Sequence, residues 1–562
     1  MKKVIKWIAI FVGTLILLFA ATIAGFMFFV SPSKVKPFII ENVENYTDSS
    51  LKINGEMSWV FFPHLGVNIY NSELKNSEAK NLIFKAKIKQ LSVSIDWLPL
   101  LQRNLTVLGF SVKDSELTFV NKKTGEFARL SNFNLQTGDV SLTDPFKVSA
   151  SFDYDDADLK TKHKLDTIVL HDNNNKLFSF NNTNIISEII NIDHKFELNI
   201  SSNFIFDIEE NRFYSNNLSG SSRNLKMSGM LIIDKLDADP VMLGKVEITP
   251  FDLRDWLKSS NFDVADINKL KYATGKISYD GHRSLLLGKV IIDEASLKHL
   301  SFNNLQIPFA LQNNVLSLRD IKSNFYRGEM QSDIDIRFHS PKNITSIKTK
   351  LSGFNVAALL KDLDPKMAIS FSGNGNFAIQ ASAIGSNRQE ILNSLNGGGN
   401  LAISNGYING VDIKYLISTA GAMLNRKAMP TNNTQKTPFQ SLNASYTIRD
   451  GVILNNDLFL RSSEFVSKGA GSVNLKDNYI DYSLNTNLSN QNGNLLNIPG
   501  LPIPIIIAGN LDNAKISLDI KELTKSFAEM QLGRAEGKLN EKIEKGKIPK
   551  RAGKFLRRLF GD

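Results

Sequence analysis

The chain of 562 residues contains no cysteine, which excludes disulfide scaffolds, thiolate metal sites and cysteine nucleophiles. With 42% hydrophobic and 22% charged residues, it has the composition of a folded protein and not of a disordered or multi-pass membrane protein. The net charge of +10 lies mainly at the two ends, in three N-terminal lysines and in residues 534–562, which carry ten basic and four acidic side chains. The body between them has a net charge of only about +1. A nucleic-acid-binding protein would carry its basic residues on the folded surface, so this distribution predicts no nucleic-acid partner.

The first predicted element is a membrane anchor. An uncharged apolar run extends from Trp7 to Val30, and as a helix it would span about 36 Å, enough for a hydrocarbon core about 30 Å thick. The preceding lysines favour a cytoplasmic N-terminus. A cleaved signal peptide is the open alternative, because alanines at positions 20, 21 and 24 resemble a cleavage site. No second run of this length follows, so we expect one anchor and one large body outside the cytoplasmic membrane.

After a short helix predicted near Val35 to Tyr46, period-two patterns dominate the chain. Two segments show the pattern best, with apolar positions at Leu91, Val93, Ile95 and Trp97 in the first and at Leu442, Ala444, Tyr446 and Ile448 in the second. The second segment is followed by Asp450-Gly451, which predicts a hairpin turn. One-sided alternation of this kind is typical of antiparallel sheet with one face in water. The sequence therefore predicts a mainly β fold.

Helical patterns are few, and two of them resemble each other. PFDLRDWLKSS and GFNVAALLKDLD, near residues 250–260 and 353–364, align at a constant offset of 103 residues. Strand-like sequence follows each of them, which indicates a degenerate repeat of about a hundred residues.

The segment SLNGGGNLAISNGYINGVDI, residues 394–413, contains five glycines. A phosphate-binding loop would need the spacing Gly-x-x-x-x-Gly-Lys-Ser/Thr or Gly-x-Gly-x-x-Gly, and neither is present. Leu401 and Ile403 alternate with Ala402 and Ser404, and Asn405-Gly406 favours a tight turn. The glycines are therefore interpreted as turns between strands. The segment FSGNGNF, residues 371–377, is interpreted as a turn as well.

No catalytic or metal-binding motif is present. The seven histidines form no His-Glu-x-x-His pair, and no Gly-x-Ser-x-Gly elbow appears. The acidic segment DYDDAD, residues 153–158, lacks the central Gly and terminal Glu of a calcium loop, so a solvated loop is favoured. We expect no cofactor and no enzymatic activity, although carboxylates brought together by folding could still form a glycosidase-like site.

The C-terminal segment predicts a basic amphipathic helix. From Lys521 the spacing of Leu523, Phe527 and Met530 is helical. Farther on, an aromatic and aliphatic face flanked by cations predicts contact with an anionic membrane or an acidic partner through Lys554, Phe555, Leu556, Arg557, Arg558, Leu559 and Phe560. A helix that caps the sheet, with a solvated basic rim, is the alternative.

Four blocks of the chain resemble the AsmA family of membrane-anchored envelope proteins. They are the anchor followed by SPSKVKPFIIENVENYTDSSLKINGEMSWVFFPHLGVNIYNSEL, the segment SIDWLPLLQRNLTVLGFSVKDSELTFV, the segment NFYRGEMQSDIDI, and a C-terminal module from GNGNFAIQ to LPIPIIIAGNLDNAKISLDI. The order and spacing of the blocks are specific, although each motif alone is weak. Two features depart from the family pattern: Asp48 stands where glycine is usual, and residues 150–240 are rich in asparagine.

The resemblance implies an inner-membrane protein of Gram-negative bacteria with a periplasmic body. The implied fold is an elongated, curved antiparallel sheet with an apolar groove, helical caps and a C-terminal amphipathic helix. The expected regions are an anchor at 1–31, an N-terminal AsmA-like region at 32–240, middle repeats at 241–365, a C-terminal AsmA-like module at 366–520 and a basic tail at 521–562.

The function expected on this basis is to bind or conduct phospholipid acyl chains in support of outer-membrane biogenesis and lipid homeostasis. The expected partners are phospholipid, the inner membrane and, through the tail, a second membrane or an envelope protein. Candidate groove-lining residues are Leu91, Val93, Ile95, Leu442, Ala444, Tyr446 and Ile448, although a closed core predicts the same residues. The alternatives are a periplasmic assembly factor for outer-membrane proteins that pairs with exposed strand edges and, more remotely, an anchored glycan hydrolase.

Overall fold

The computed structural model describes residues 33, 36–47, 49–60, 65–76, 82–96, 107–121, 127–141, 143–155, 160–190, 195–235, 241–259, 267–339, 342–364, 367, 369–489 and 501–545. The predicted anchor from Trp7 to Val30 and the predicted contact residues of the tail, 554–560, lie outside these ranges. None of the helices within them is both long enough and apolar enough to cross a membrane.

The fold is mainly β, as the sequence predicts. The described residues form 28 strands in antiparallel sheet and six α-helices, and the chain divides into two compact units. The N-terminal unit comprises residues 1–264 and 276–282, and the C-terminal unit comprises residues 265–275 and 283–562.

The N-terminal unit contains strands β1 to β13. Their bounds are β1 Ser49–Ile53, β2 Met57–Val60, β3 Leu65–Asn76, β4 Leu82–Ile95, β5 Val107–Asn121, β6 Phe127–Thr137, β7 Phe146–Asp155, β8 Lys160–Asp172, β9 Leu177–Ile190, β10 Lys195–Asp207, β11 Arg212–Ser222, β12 Leu225–Asp234 and β13 Val241–Phe251. Its helices are α1 Lys36–Thr47 and α2 Leu253–Ser259. Strands β1 and β2 both pair with β3. From β3 to β13 each strand pairs with the next one along the chain.

Strand β14, Ile267–Asp280, has residues in both units, and the C-terminal unit continues with β15 to β28. The bounds are β15 Leu285–Leu297, β16 Leu300–Gln312, β17 Val315–Phe325, β18 Gly328–Arg337, β19 Ile344–Asn355, β20 Ser370–Phe371, β21 Asn374–Ile384, β22 Asn396–Asn409, β23 Lys436–Arg449, β24 Val452–Arg461, β25 Phe465–Asn474, β26 Tyr479–Leu488, β27 Ile503–Asn510 and β28 Lys515–Leu518. The helices are α3 Val356–Leu363, α4 Arg388–Ser394, α5 Ile413–Leu424 and α6 Ile520–Glu544, with a 3₁₀ turn at Leu511–Asn513. Strand β19 pairs with β21, and β20 and β21 share the same edge of β22.

Asparagine and aspartate side chains stabilise irregular points of both units. At six bulges within the described residues the side-chain Oδ1 of one strand accepts the backbone N–H of its neighbour at 2.8 to 3.2 Å. The pairs, donor first, are Asp114 with Asn134, Asn182 with Asn203, Asn203 with Asn217, Asp320 with Asp333, Gly353 with Asn376, and Ser445 with Asp457. We call each such pair a bulge clamp. A bulge leaves an N–H without its ladder partner, and the clamp satisfies that donor.

The helices predicted near 35–46, 250–260 and 353–364 and from Lys521 are confirmed as α1, α2, α3 and α6, whereas the helical segment predicted at 554–560 lies outside the described residues. The turn at Asp450-Gly451 is confirmed as well: β23 ends at Arg449 and β24 begins at Val452. The predicted turn at Asn405-Gly406 is wrong, because β22 continues to Asn409. Asn405 does have a positive φ of 51°, but it lies where the neighbour of β22 changes from β21 to β20. The glycines at 397–399 also lie within β22 and not between strands. In the segment 371–377 only Ser372 and Gly373 lie outside strands.

Candidate apolar binding faces

The sheet of the N-terminal unit has one polar and one apolar face, which β8 shows clearly. Lys162 and Lys164 are exposed on one side, whereas Leu165 is half-buried on the other. Leu165 lies opposite Ala150 of β7 and Ile185 of β9. We call the face that carries Leu165 the N-terminal apolar face.

Helix α1 packs against the beginning of this sheet and closes a small core there. The buried side chains of the core are Leu51, Ile53, Val67 and Ile69, and the helix contributes Ile39, Ile40 and Val43. Burial of these side chains stabilises the unit through the hydrophobic effect.

Farther along, the N-terminal apolar face is open to solvent. No described hydrophobic side chain of β6 or β7 is fully buried. The half-buried side chains that alternate with polar ones here include Leu130, Phe133, Leu135, Ala150 and Phe152. The rings of Phe133 and Phe152 lie 6.3 Å apart. A continuous apolar surface that remains exposed is a candidate site for an apolar partner or ligand.

Small hydroxyl side chains form a buried line across β8 to β11. Thr167 and Thr183 share a hydrogen bond of 2.7 Å between their hydroxyls, and Ser202 and Ser215 share one of 2.5 Å. All four residues are buried. Because their hydroxyls are paired, this line exposes no unsatisfied polar atom to an apolar occupant.

His163 of β8 introduces a titratable group on the same face. The Nε2 of His163 lies 2.6 Å from the hydroxyl of Thr161, and its Nδ1 lies 2.8 Å from the hydroxyl of Ser187. The imidazole also contacts the ring of Phe152, with 4.8 Å between centroids. Burial lowers the pKa of His163, although the charge of Asp153 opposes the shift. The neutral imidazole is therefore the favoured form on this face.

The C-terminal unit has an apolar face that helices cover in part. Helices α3, α5 and α6 pack on it and close a core around buried side chains that include Val356, Ile413, Ile417, Leu442, Leu460, Ile503, Ile505 and Leu523. Helix α5 begins at Asp412, whose Oδ1 accepts the N–H of Tyr415 at 2.9 Å. This part of the C-terminal apolar face is an ordinary closed core.

Next to that core, aromatic rings lie across glycines. Tyr446 of β23 pairs with Gly399 of β22, and its hydroxyl donates to the carbonyl of Ala378 on β21 at 2.9 Å. The ring stacks on Phe377 with 6.1 Å between centroids. A Cβ on Gly399 would lie 1.9 Å from the Ala378 oxygen and 2.7 Å from the Tyr446 hydroxyl, so only glycine fits. Burial raises the pKa of Tyr446 to about 12.

Strands β24 to β26 repeat this arrangement. The side chain of Tyr482 on β26 lies over Gly471 of β25 and donates a hydrogen bond to the Oδ1 of Asn455 on β24. Burial and the charge of Asp457 raise the pKa of Tyr482 to about 12. Both tyrosines thus keep their hydroxyls protonated and paired while their rings form part of the apolar face.

The model of the AsmA family matches residues 1–243 and 265–458. The chain belongs to the AsmA family. The match includes residues 150–240, whose many asparagines the sequence analysis treated as a departure from the family pattern. Two of them, Asn203 and Asn217, are explained by bulge clamps, in which their side-chain oxygens accept the N–H groups of Asn182 and Asn203. No curated protein matches the chain significantly.

The structure places the candidate groove residues of this AsmA protein in different surroundings. Leu91 and Val93 pack half-buried against the core under α1, and Ile95 ends β4. Leu442 and Ile448 are 4% exposed, whereas Ala444 and Tyr446 are half-buried between exposed neighbours. Leu165, Ile185 and His163 were not among the predicted residues, although the alternation of β8 and β9 was available as a signal.

The described residues of the AsmA chain contain no group of three or more side chains that could hold a metal ion. The features of its two units that could bind an apolar ligand are the apolar faces with their buried hydroxyl pairs and glycine-backed tyrosines. Such surfaces suit occupants that consist mainly of hydrocarbon.

Proposed function

We propose that this AsmA protein binds or conducts phospholipid acyl chains along its apolar faces, without catalysis. The observation that carries the proposal is the half-buried apolar surface on β6 to β9 of the N-terminal unit, where Leu135, Phe152, Leu165 and Ile185 remain accessible. An acyl chain offers only methylene groups, and each one buried contributes about 0.8 kcal/mol.

The polar groups of this face support the same occupant. The hydroxyls of Thr167, Thr183, Ser202 and Ser215 are paired with one another. An acyl chain that passes over them would therefore leave no donor or acceptor without a partner. An occupant with many polar groups would find few free partners among these four residues.

We further propose that the protein acts from the inner membrane, with an N-terminal anchor, a cytoplasmic start and a periplasmic body. In this location it would support outer-membrane biogenesis and lipid homeostasis. The apolar run from Trp7 to Val30 supports the anchor, and the basic segment at 554–560 supports contact of the tail with a second membrane or an envelope protein.

A photo-crosslinking experiment tests the proposal. Benzoylphenylalanine is placed at Leu165 on the apolar face and, as a control, at Lys164 on the polar face of the same strand. After irradiation of cells that express the full chain, phospholipid adducts are sought by mass spectrometry. We expect adducts at position 165 and none at position 164. Equal labelling, or none at either position in folded protein, would contradict lipid binding on this face.

The strand edges favour this proposal over an assembly factor that captures other strands. Among the described strands, those at the sheet ends are short: β1 has five residues, and β2 and β28 have four each. Strand β28 also begins with Lys515. Short, charged edge strands discourage the addition of a further strand.

A further inference from the structure

The polar face of the C-terminal unit contains a trough of about 690 Å³ that crosses five neighbouring strands from β17 to β22. Its lining is Arg319, Asp333, Asp335, Ser346, Ile347, Lys348, Gln380, Ala381, Ser382, Asn396, Gly397 and Gly398. This volume lies within the range of sites for small ligands.

The pairing of the strands explains why a trough forms here. Ser346 of β19 and Ser382 of β21 lie opposite each other on neighbouring strands. Two residues away along β21, Gln380 lies opposite Gly398 of β22, which has no side chain. Short or absent side chains thus form part of the floor, Lys348 lies between Asp333 and Gln380 on the middle strand, and Arg319 lies on the outermost strand of the trough, β17.

The trough has free hydrogen-bonding groups. The Oδ1 of Asp335 is buried and has no hydrogen-bond partner, although its Oδ2 is ion-paired with Arg319. The side chains of Lys348, Gln380 and Ser382 make no hydrogen bond or ion pair to any part of the chain that the structure describes. The unpaired Oδ1 of Asp335 is unusual, because buried acceptors normally have a hydrogen-bond partner.

The charges of the trough balance, since Arg319 and Lys348 oppose Asp333 and Asp335. This balance disfavours a strongly anionic or cationic ligand. The described residues provide no cluster of metal ligands here. An extended peptide would need a free strand edge, whereas the trough lies on a sheet face.

We propose that this trough binds a neutral oligosaccharide. Sugar hydroxyls both donate and accept hydrogen bonds, so they match the exposed ammonium of Lys348, the amide of Gln380 and the hydroxyl of Ser382. The ligand is bound without cleavage: Asp335 is ion-paired with Arg319, and Asp333 accepts the N–H of Asp320 at 2.8 Å. Neither carboxyl is thus placed as a proton donor to a leaving group.

The test uses the full chain in a detergent without sugar groups and measures binding of chitotriose and maltotriose by calorimetry and saturation-transfer NMR. Gln380→Leu removes hydrogen-bonding groups, and Ser382→Trp fills the trough. Gln440→Leu is the matched control, because Gln440 is exposed on β23 and does not line the trough. We expect at least a tenfold loss of affinity for both trough variants and none for the control.

Several results would overturn the proposal. One is the absence of binding of either sugar by the parent protein, and another is unchanged binding by Ser382→Trp. Release of shorter sugars would show hydrolysis instead. Trough-dependent binding of a Ser/Gly-rich peptide in place of sugar would identify a peptide site. Circular dichroism of each variant checks that the sheet remains folded.

Discussion

The hydroxyl of Tyr446 donates a hydrogen bond to the backbone carbonyl of Ala378, which lies two strands away. The side chain crosses β22 at Gly399. A glycine that would weaken an isolated strand is thus part of a specific packing arrangement, in which the aromatic ring covers the exposed backbone.

Gly399→Ala should destabilise the C-terminal unit by about 1–3 kcal/mol, because the new Cβ would overlap the Ala378 carbonyl. The melting temperature by circular dichroism measures the effect. Gly244→Ala is the control, since a Cβ there would meet only one atom within 4 Å, the Met230 oxygen at 3.8 Å. Equal melting temperatures for both variants would argue against the packing described.

Thr486→Val should cost about 1–3 kcal/mol of unfolding free energy, because it leaves the hydroxyl of Ser467 without a partner. Both side chains are fully buried and share one hydrogen bond of 2.7 Å. Adding Ser467→Ala should recover part of the loss. A double-mutant cycle by denaturant unfolding measures the coupling, and strictly additive effects would refute it.

Leu523→Ala should destabilise the packing of α6 by about 2–5 kcal/mol, because this side chain is 1% exposed in the core. Leu532→Ala in the same helix should have almost no effect, since Leu532 is 46% exposed. Hydrogen exchange of the first turns of α6 provides the readout. Similar exchange protection of α6 in the Leu523→Ala and Leu532→Ala variants would mean that the first turns do not hold the helix on the core.

His163 should make the N-terminal unit less stable as the pH falls below about 6.5, the ordinary pKa of histidine. Burial lowers the pKa of His163 in the folded state, so the unfolded chain binds the proton more strongly and acid favours unfolding. The stability of the unit should stop decreasing once the pH is below the pKa that His163 has in the folded state. The charges to consider near His163 are Asp153 on β7, Lys162 and Lys164 on β8 itself, and Glu188 on β9.

Thermal unfolding of His163→Gln at several pH values tests this dependence. The substitution should flatten the decrease in melting temperature below pH about 6.5. His282→Gln is the control, because His282 is exposed in a turn. An unchanged pH profile for His163→Gln would exclude this histidine as the cause.

Alternation predicted the mainly β fold and the strands around Leu91 and Leu442, because a sheet with one face in water places apolar residues at every second position. It also predicted the helices at α2 and α3, whose apolar spacing changes to that of a helix. Helix α5 was not predicted, although Asp412 is a typical N-cap residue that precedes it. Its apolar residues follow a strand so closely that no composition change marks the boundary.

Other features depend on neighbours that are distant in sequence. Asn405 has the backbone conformation of a turn residue, yet pairing with β23 keeps it within a strand. Buried pairs such as Ser467 with Thr486 are set by register, which a single sequence does not show. The sequence predicted that the sheet has an apolar face. Which apolar residues of that face remain accessible depends on where the helices pack.

The bulge clamps have a consequence for how this sequence can diverge. In all six the acceptor is an Oδ1 atom, supplied by asparagine in four cases and by aspartate in two. An amide and a carboxylate present that oxygen at the same reach, so exchange between the two residue types preserves the hydrogen bond. At Asn134 the amide also donates to the carbonyl of Asn132 at 2.7 Å, which a carboxylate would repel, so we expect asparagine to persist there. We expect evolutionary drift at Asn203, Asn217 and Asn376 to run mainly toward aspartate, so that the charge at these bulges varies among relatives while the bulges stay in place.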